Sequence, residues 1–215
     1  MKIREVLKLA PVIPVLTVEK LAHAAPLARA LYAGGLKVLE ICLRTPVALD
    51  VIEAMRVAAP EAIVGVGTLV KPGDFKSAAE VGAQFAVTPG LTPQLAEAAA
   101  RVSYPLLPGI VTPSEILQAL QFGYDTLKFF PAQPAGGIPM LQAFAGPFAN
   151  VAFCPTGGIS RDTAPAFLKL RNVLCVGGSW VAPTALVESG DWAGIEALAR
   201  DAAALCSRAS AVTVW

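Results

Sequence analysis

Short runs rich in β-branched and aromatic residues alternate with longer Ala/Leu-rich segments along the 215 residues, and this alternation is what most narrows the folds open to the chain. Eight such runs stand out, at 12–16, 38–42, 63–67, 85–87, 106–107, 126–130, 151–154 and 173–176. The segments between them carry helix start signals. Thr45-Pro46, Thr92-Pro93 and Thr112-Pro113 each put a capping hydroxyl before a proline suited to a first helical turn, and Thr112 with Glu115 reads as a capping box. Gly34, Gly82 and Gly123 fall where helices should stop, as left-handed C-cap positions. Pro26, inside the first long helical segment, should kink that helix or mark its boundary.

Eight strands each followed by a helix, in about 200 residues, predict an α/β fold at the small end of the (β/α)8 barrels. An open doubly wound sheet is the rival, but it places a glycine-rich fingerprint after its first strand, and Pro11-Val12-Ile13-Pro14-Val15-Leu16-Thr17 has no glycine. Neither a composition shift nor a linker divides the chain, so a single domain over residues 1–215, opened by a short N-terminal helix, is expected.

The glycines gather late, in Thr156-Gly157-Gly158-Ile159-Ser160 and Val176-Gly177-Gly178-Ser179-Trp180. Either pair alone could be a tight turn. Together, after the last two strands, they favour a phosphate site built from backbone N–H groups that only glycine lets approach closely.

Lys128 lies within Thr126-Leu127-Lys128-Phe129-Phe130-Pro131, a run that reads as a buried strand. Burial disfavours an ammonium and can lower a lysine pKa by roughly 3 to 5 units, which yields a nucleophile able to form a Schiff base with a ketone. The structural alternative is a lysine snorkelling to water or paired with a hidden carboxylate. Period-two alternation puts Val38, Glu40, Cys42 and Arg44 on one strand face, and Thr126, Lys128 and Phe130 on one face of another. Glu40 is then either a counter-ion for Lys128 or Arg44, or a proton shuttle beside the amine. Arg44 offers a planar fork to a substrate carboxylate or makes a surface salt bridge, and Thr68 donates to the same carboxylate or caps the next helix.

Composition excludes other classes. Seventeen Lys+Arg against sixteen Asp+Glu give a formal +1, so no global field holds a nucleic acid. With 55% hydrophobic and 15% charged residues, a monomer would expose much apolar surface, and a homo-oligomer is expected. Met1-Lys2-Ile3-Arg4-Glu5 carries both signs of charge, and the apolar run after it is broken by Pro11 and Pro14, unlike a signal or membrane segment. A cytoplasmic protein is expected. Cys42, Cys154 and Cys175 fall in strand-like runs and Cys206 in an Ala-rich helical segment, without C-x-x-C spacing, and read as small buried thiols. His23 is the one histidine, so a multi-histidine metal site is excluded.

Several blocks taken in order make the chain resemble the 2-dehydro-3-deoxy-phosphogluconate aldolases, class I Schiff-base aldolases on a (β/α)8 barrel. They are Leu39-Glu40-Ile41-Cys42-Leu43-Arg44-Thr45, Val64-Gly65-Val66-Gly67-Thr68, Thr88-Pro89-Gly90-Leu91-Thr92, Leu107-Pro108-Gly109-Ile110, Lys128-Phe129-Phe130-Pro131-Ala132, Phe153-Cys154-Pro155-Thr156-Gly157-Gly158-Ile159 and Gly177-Gly178-Ser179-Trp180. The resemblance implies Lys128 as the Schiff-base lysine, Glu40 as general acid/base, and Arg44 with Thr68 as carboxylate binders. It implies that Pro89 and Phe130 shape the pocket, that Gly157, Gly158, Gly178 and Ser179 receive a phosphate, and that Thr156 is the gluconate-type residue. It also implies a homotrimer, a small 2-keto acid phosphate as substrate, and no metal or organic cofactor. Two departures stand out: Cys42 replaces a threonine common among relatives, and Gln133-Pro134-Ala135 replaces a more polar stretch. Two other readings stay open, an aldolase acting mainly on 4-hydroxy-2-oxoglutarate or the galactonate epimer, and a sugar-phosphate isomerase or sensor with Lys128 as an electrostatic clamp.

Overall fold

The computed structural model describes residues 1–205; Cys206, expected in a helix, lies outside them. In chain order the strands are β1 (Val12–Leu16), β2 (Val38–Cys42), β3 (Ile63–Gly67), β4 (Ala86–Val87), β5 (Leu106–Leu107), β6 (Gly109–Ile110), β7 (Thr126–Phe129), β8 (Ala152–Pro155) and β9 (Val176–Gly178). The helices are α1 (Ile3–Leu7), α2 (Ala24–Ala33), α3 (Ala48–Ala58), α4 (Pro72–Glu80), α5 (Pro93–Ala99), α6 (Pro113–Gln121), α7 (Gly137–Phe144), α8 (Ala164–Leu168), α9 (Thr184–Ser189) and α10 (Trp192–Ala203). The fold is α/β with parallel pairing throughout.

The strands form a six-stranded sheet of order β5-β4-β3-β2-β1-β9 and a three-stranded sheet β6-β7-β8. The expected run at 106–107 therefore continues beyond Pro108 as β6. Proline has no N–H to give the ladder, so the run is cut in two, with β5 bonded to β4 and β6 to β7. The carbonyl of Pro108 still accepts the Lys128 N–H at 2.8 Å. At the other side, isolated parallel bridges join Phe153 to Val173 and Thr156 to Gly177. The expected run at 173–176 shifts accordingly: Val173 only bridges to Phe153, and a strand forms from Val176, where the chain meets Val12 of β1.

Alternate strand residues build two clusters. Leu39, Ile41, Val64, Val66, Leu127, Phe129 and Phe153 pack outward against the helices, whereas Ile13, Val38, Phe85, Val87, Leu107, Cys154 and Cys175 pack inside the curl of the strands. Val6 and Leu7 of α1 belong to the inner cluster and close it from below. Arg4 fixes that helix by donating from Nε to Thr126 Oγ1 at 3.1 Å and from Nη2 to the Asn150 carbonyl at 3.0 Å.

Most helix signals act as read. Thr92 Oγ1 accepts the Leu95 N–H at 3.3 Å and Thr112 Oγ1 that of Glu115 at 3.3 Å, while Glu115 Oε2 accepts the Thr112 N–H at 2.7 Å. Pro26 lies in the first turn of α2, which follows a 3-10 turn over Leu21–His23, so it marks a boundary. Gly82 and Gly123 have positive φ, as expected of C-caps.

Two readings need correction. Thr45 is not a cap: α3 begins at Ala48, and the Thr45 hydroxyl instead donates to the Val18 carbonyl at 2.9 Å, tying the loop after β2 to the loop after β1. Gly34 has φ of −72° and is not left-handed. It is needed for close approach, since a Cβ there would lie 2.4 Å from Ala199 Cβ on α10, and Gly35 takes the left-handed position instead. No helix among the described residues is long and apolar enough to cross a membrane.

Candidate active site

Parallel strands all present their C-terminal ends on one face, and the loops leaving them converge there. Lys128 from β7 and Glu40 from β2 meet inside the curl, 5% and 3% exposed, and Lys128 Nζ donates to Glu40 Oε1 at 3.4 Å. That separation exceeds the roughly 2.7–2.9 Å of a tight charge-assisted hydrogen bond, so the pair is a loose contact that an incoming group can part. The Phe130 ring centroid is 5.0 Å from Nζ, within cation–π range. The amine therefore lies between a carboxylate and an aromatic face, with 5% of the Lys128 surface exposed.

Glu40 needs room, and Gly67 supplies it. A Cβ at Gly67 would stand 2.3 Å from Glu40 Oε1. Thr68 follows with φ of 64°, a left-handed backbone that costs a β-branched residue on the order of 1–3 kcal/mol. It does not cap α4, which begins at Pro72 with Lys71 at its N-cap. Burial and then the Glu40 carboxylate push the Cys42 thiol up, against the pull of a hydrogen bond with Thr68 and the charges of Arg44 and Lys128. Glu40, Cys42, Thr68, Arg44 and Lys128 thus share one electrostatic neighbourhood. Arg44 is exposed and makes no ion pair among the described residues.

A cavity of about 280 Å³ opens over this group, lined by Val15, Thr17, Arg44, Lys128, Phe130, Thr156, Gly157, Gly158, Ile159, Gly177, Gly178, Ser179, Ala182 and Thr184. Of the residues singled out in the sequence, Arg44, Lys128, Phe130, Thr156, Gly157, Gly158, Gly178 and Ser179 line it directly. Glu40 reaches it through Lys128. Thr68 and Pro89 do not line it: Thr68 stands beside Cys42, and the Pro89 carbonyl crowds Gly109, the residue paired with Lys128.

Gly157 and Gly158 have φ of 102° and 76°, conformations that L side chains rarely adopt. Gln133 donates its N–H to the Gly157 carbonyl at 3.0 Å and its Cβ packs where a side chain on Gly158 would go. The unusual Gln133-Pro134 segment thereby seats the loop. Thr156, 6% exposed, bridges to Gly177 and holds both glycine pairs at one place.

Sequence reading missed Gly67, Thr17, Val15 and Thr184. Gly67 had a signal, a glycine inside a strand facing inward, and Thr17 another, its even spacing from Ile13 and Val15 on β1. Thr184 had none, because its place depends on how α9 folds back over the strands.

Chemically, the arrangement offers a sequestered amine with an adjacent carboxylate, an exposed guanidinium without an ion-pair partner among the described residues, and two glycine pairs on the same cavity lining. The comparisons agree with that class of site. The family model described as KDPG and KHG aldolase matches residues 3–198. The KHG/KDPG aldolase of Escherichia coli (strain K12) is 50% identical over 197 residues, covering 92% of each chain. A crystal structure of KDPG aldolase from Legionella pneumophila, with pyruvate captured as a covalent carbinolamine intermediate, superposes with a TM-score of 0.91 at 44% identity, covering 94% of this chain and 98% of that one. The 2-keto-3-deoxy-6-phosphogluconate aldolase of Zymomonas mobilis ZM4, solved with 3-phosphoglycerate, gives a TM-score of 0.91 at 46% identity and covers 96% and 97%. The chain belongs to the KDPG and KHG aldolase family.

Proposed function

We propose that the chain is a class I aldolase that cleaves 2-dehydro-3-deoxy-6-phosphogluconate to pyruvate and glyceraldehyde 3-phosphate, with Lys128 as its Schiff-base nucleophile. One observation carries the assignment: a buried lysine with a carboxylate 3.4 Å away opens onto a cavity also lined by two glycine pairs. Once its proton has passed to Glu40, the Lys128 amine adds to the C2 ketone to give a carbinolamine, and the proton returned through Glu40 lets hydroxide leave as water, forming an iminium. Glu40 then takes the C4 hydroxyl proton, the C3–C4 bond breaks, its electron pair passes into the iminium, and the aldehyde leaves an enamine on the lysine. Protonation at C3 and hydrolysis release pyruvate and regenerate the amine.

In this reading Arg44 binds the substrate carboxylate from the cavity lining and Thr68 joins it from beside Cys42, Phe130 and Thr156 shape the pocket directly and Pro89 does so through Gly109, and Gly157, Gly158, Gly178 and Ser179 take the phosphate. Phosphate binding remote from the breaking bond holds the reacting carbons in register, an orientation effect that supplies several kcal/mol. The name of the Escherichia coli relative supports activity on 4-hydroxy-2-oxoglutarate as well, since that substrate presents the same keto acid without the phosphate.

Borohydride added with pyruvate should reduce the iminium and leave a pyruvate-derived adduct on Lys128, found by peptide mass mapping, while Lys128→Arg abolishes both trapping and cleavage. Cleavage should persist in excess EDTA, because the lysine supplies the electron sink. An adduct confined to Lys37 or Lys71, or none in active enzyme, would overturn the assignment.

We also propose a single-domain (β/α)8 barrel, a homotrimer and a cytoplasmic setting. The Phe153–Val173 and Thr156–Gly177 bridges and the shared run around Pro108 support closure of the two sheets, which a crystal structure with β8 and β9 splayed apart would contradict. Two separate transitions in calorimetry would contradict one domain. Thiols at Cys42, Cys154 and Cys175 suit a reducing compartment, and finding the protein outside the cytoplasm on fractionation of its source cells would contradict that placement.

A further inference from the structure

Two cavity-lining hydroxyls have no part in the roles above. Thr17 follows β1, three residues beyond Pro14, which pairs with Gly178; Thr184 opens α9. Both line the cavity and both are exposed. Thr184 and Glu188 are four residues apart and so share one face of α9. Glu188 pairs with Lys20 and lies 3.8 Å from His23 Nδ1, so that face is turned to the segment that continues from Thr17. The hydroxyls stand on facing elements, joined by this charge cluster, with Gly178 and Ser179 belonging to the strand and loop between.

The charges of the lining give these hydroxyls a task. Among the described residues, Lys128 and Arg44 are the only basic side chains of the lining, and the proposed chemistry commits both to the keto acid end. Among the described residues the lining contains no carboxylate to repel an anion there. A phosphate dianion at the glycine pairs therefore meets neutral donors among the described lining residues, where each hydroxyl is a large share of the total. We propose that Thr17 and Thr184 are specificity-determining residues whose hydroxyls complete the phosphate cradle and favour phosphorylated over unphosphorylated substrates.

The inference rests on the aldolase reading, and its test separates the two. In Thr17→Val and Thr184→Val, shape is kept and the hydroxyl is lost. For each, kcat/KM on the phosphogluconate substrate should fall roughly tenfold, as expected for a hydrogen bond to a charged group. The fall on 4-hydroxy-2-oxoglutarate should be several times smaller, and Thr→Ser at either position should restore most of the difference. Glycerol 3-phosphate should bind the double valine variant more weakly by calorimetry, whether or not turnover is measured. Equal losses on both substrates, serine variants no better than valine, or unchanged glycerol 3-phosphate affinity would overturn the inference. Pyruvate trapping on Lys128 that persists alongside any of these results would leave the aldolase reading standing, whereas failure to trap in the wild type would remove that reading by itself.

Discussion

At the scale of single residues, function depends on where one carboxylate is allowed to stand. Glu40 occupies the inward face of β2 in register with Val15 on one side and Gly65 on the other, and its oxygen reaches toward Lys128 only because Gly67 has no side chain. Glu40→Gln keeps the volume but cannot carry the proton, so turnover should fall on the order of 10²-fold with the fold retained. Gly67→Ala should push the carboxylate aside and lose roughly tenfold or more, with little change in melting temperature, because the atom displaced is the end of a flexible chain. Steady-state cleavage on folded, purified variants decides this; near wild-type turnover in Glu40→Gln would reduce Glu40 to a counter-ion. Lys128 and Glu40 were legible in the sequence because charged residues inside apolar strands are costly. Gly67 was legible only as a glycine, since what it accommodates comes from the neighbouring strand.

At the scale of elements, α6 shows how far local chemistry reaches. Desolvation pushes the Glu115 carboxyl up, but hydrogen bonds from the Thr112 and Val111 N–H groups and the Thr112 hydroxyl outweigh it and hold the group below its ordinary value. A depressed carboxyl stabilises the fold at pH above the ordinary carboxylate range, and the contribution is lost as pH falls through the folded-state value. Glu115→Ala should therefore cost about 0.5–1 kcal/mol at pH 7, the low end for an exposed cap, and less near pH 3. Urea unfolding at both pH values checks it, and an equal cost at both would exclude the charge as the cause. The caps at Thr92 and Thr112 could be read directly because donor and acceptor are three residues apart. Thr45 shows the same local pattern, yet its hydroxyl goes to Val18, a carbonyl 27 residues distant in the chain that no local rule could weigh.

At the scale of the whole molecule, 55% hydrophobic residues leave apolar groups outside both clusters. Leu117, Leu120 and Phe122 of α6 and the turn after it are 55%, 39% and 40% exposed within less than two helical turns. They support the proposed homotrimer. Sedimentation equilibrium should give the mass of three chains, and a stable monomer at micromolar concentration would refute the assembly.

Taken alone, the sequence determined the order and approximate extent of the strands, the inward parity of Glu40 and Lys128, and the two late glycine pairs at 157–158 and 177–178. Each of these follows from interactions within a few residues, which periodicity and capping report. Tertiary structure alone decided that Pro108 divides one run between two sheets, that β9 starts at Val176, that Gly34 serves the approach of α10, and that Thr17 and Thr184 face the same cavity. Those outcomes depend on partners far away in the chain, and packing between distant segments leaves no periodic trace in either segment.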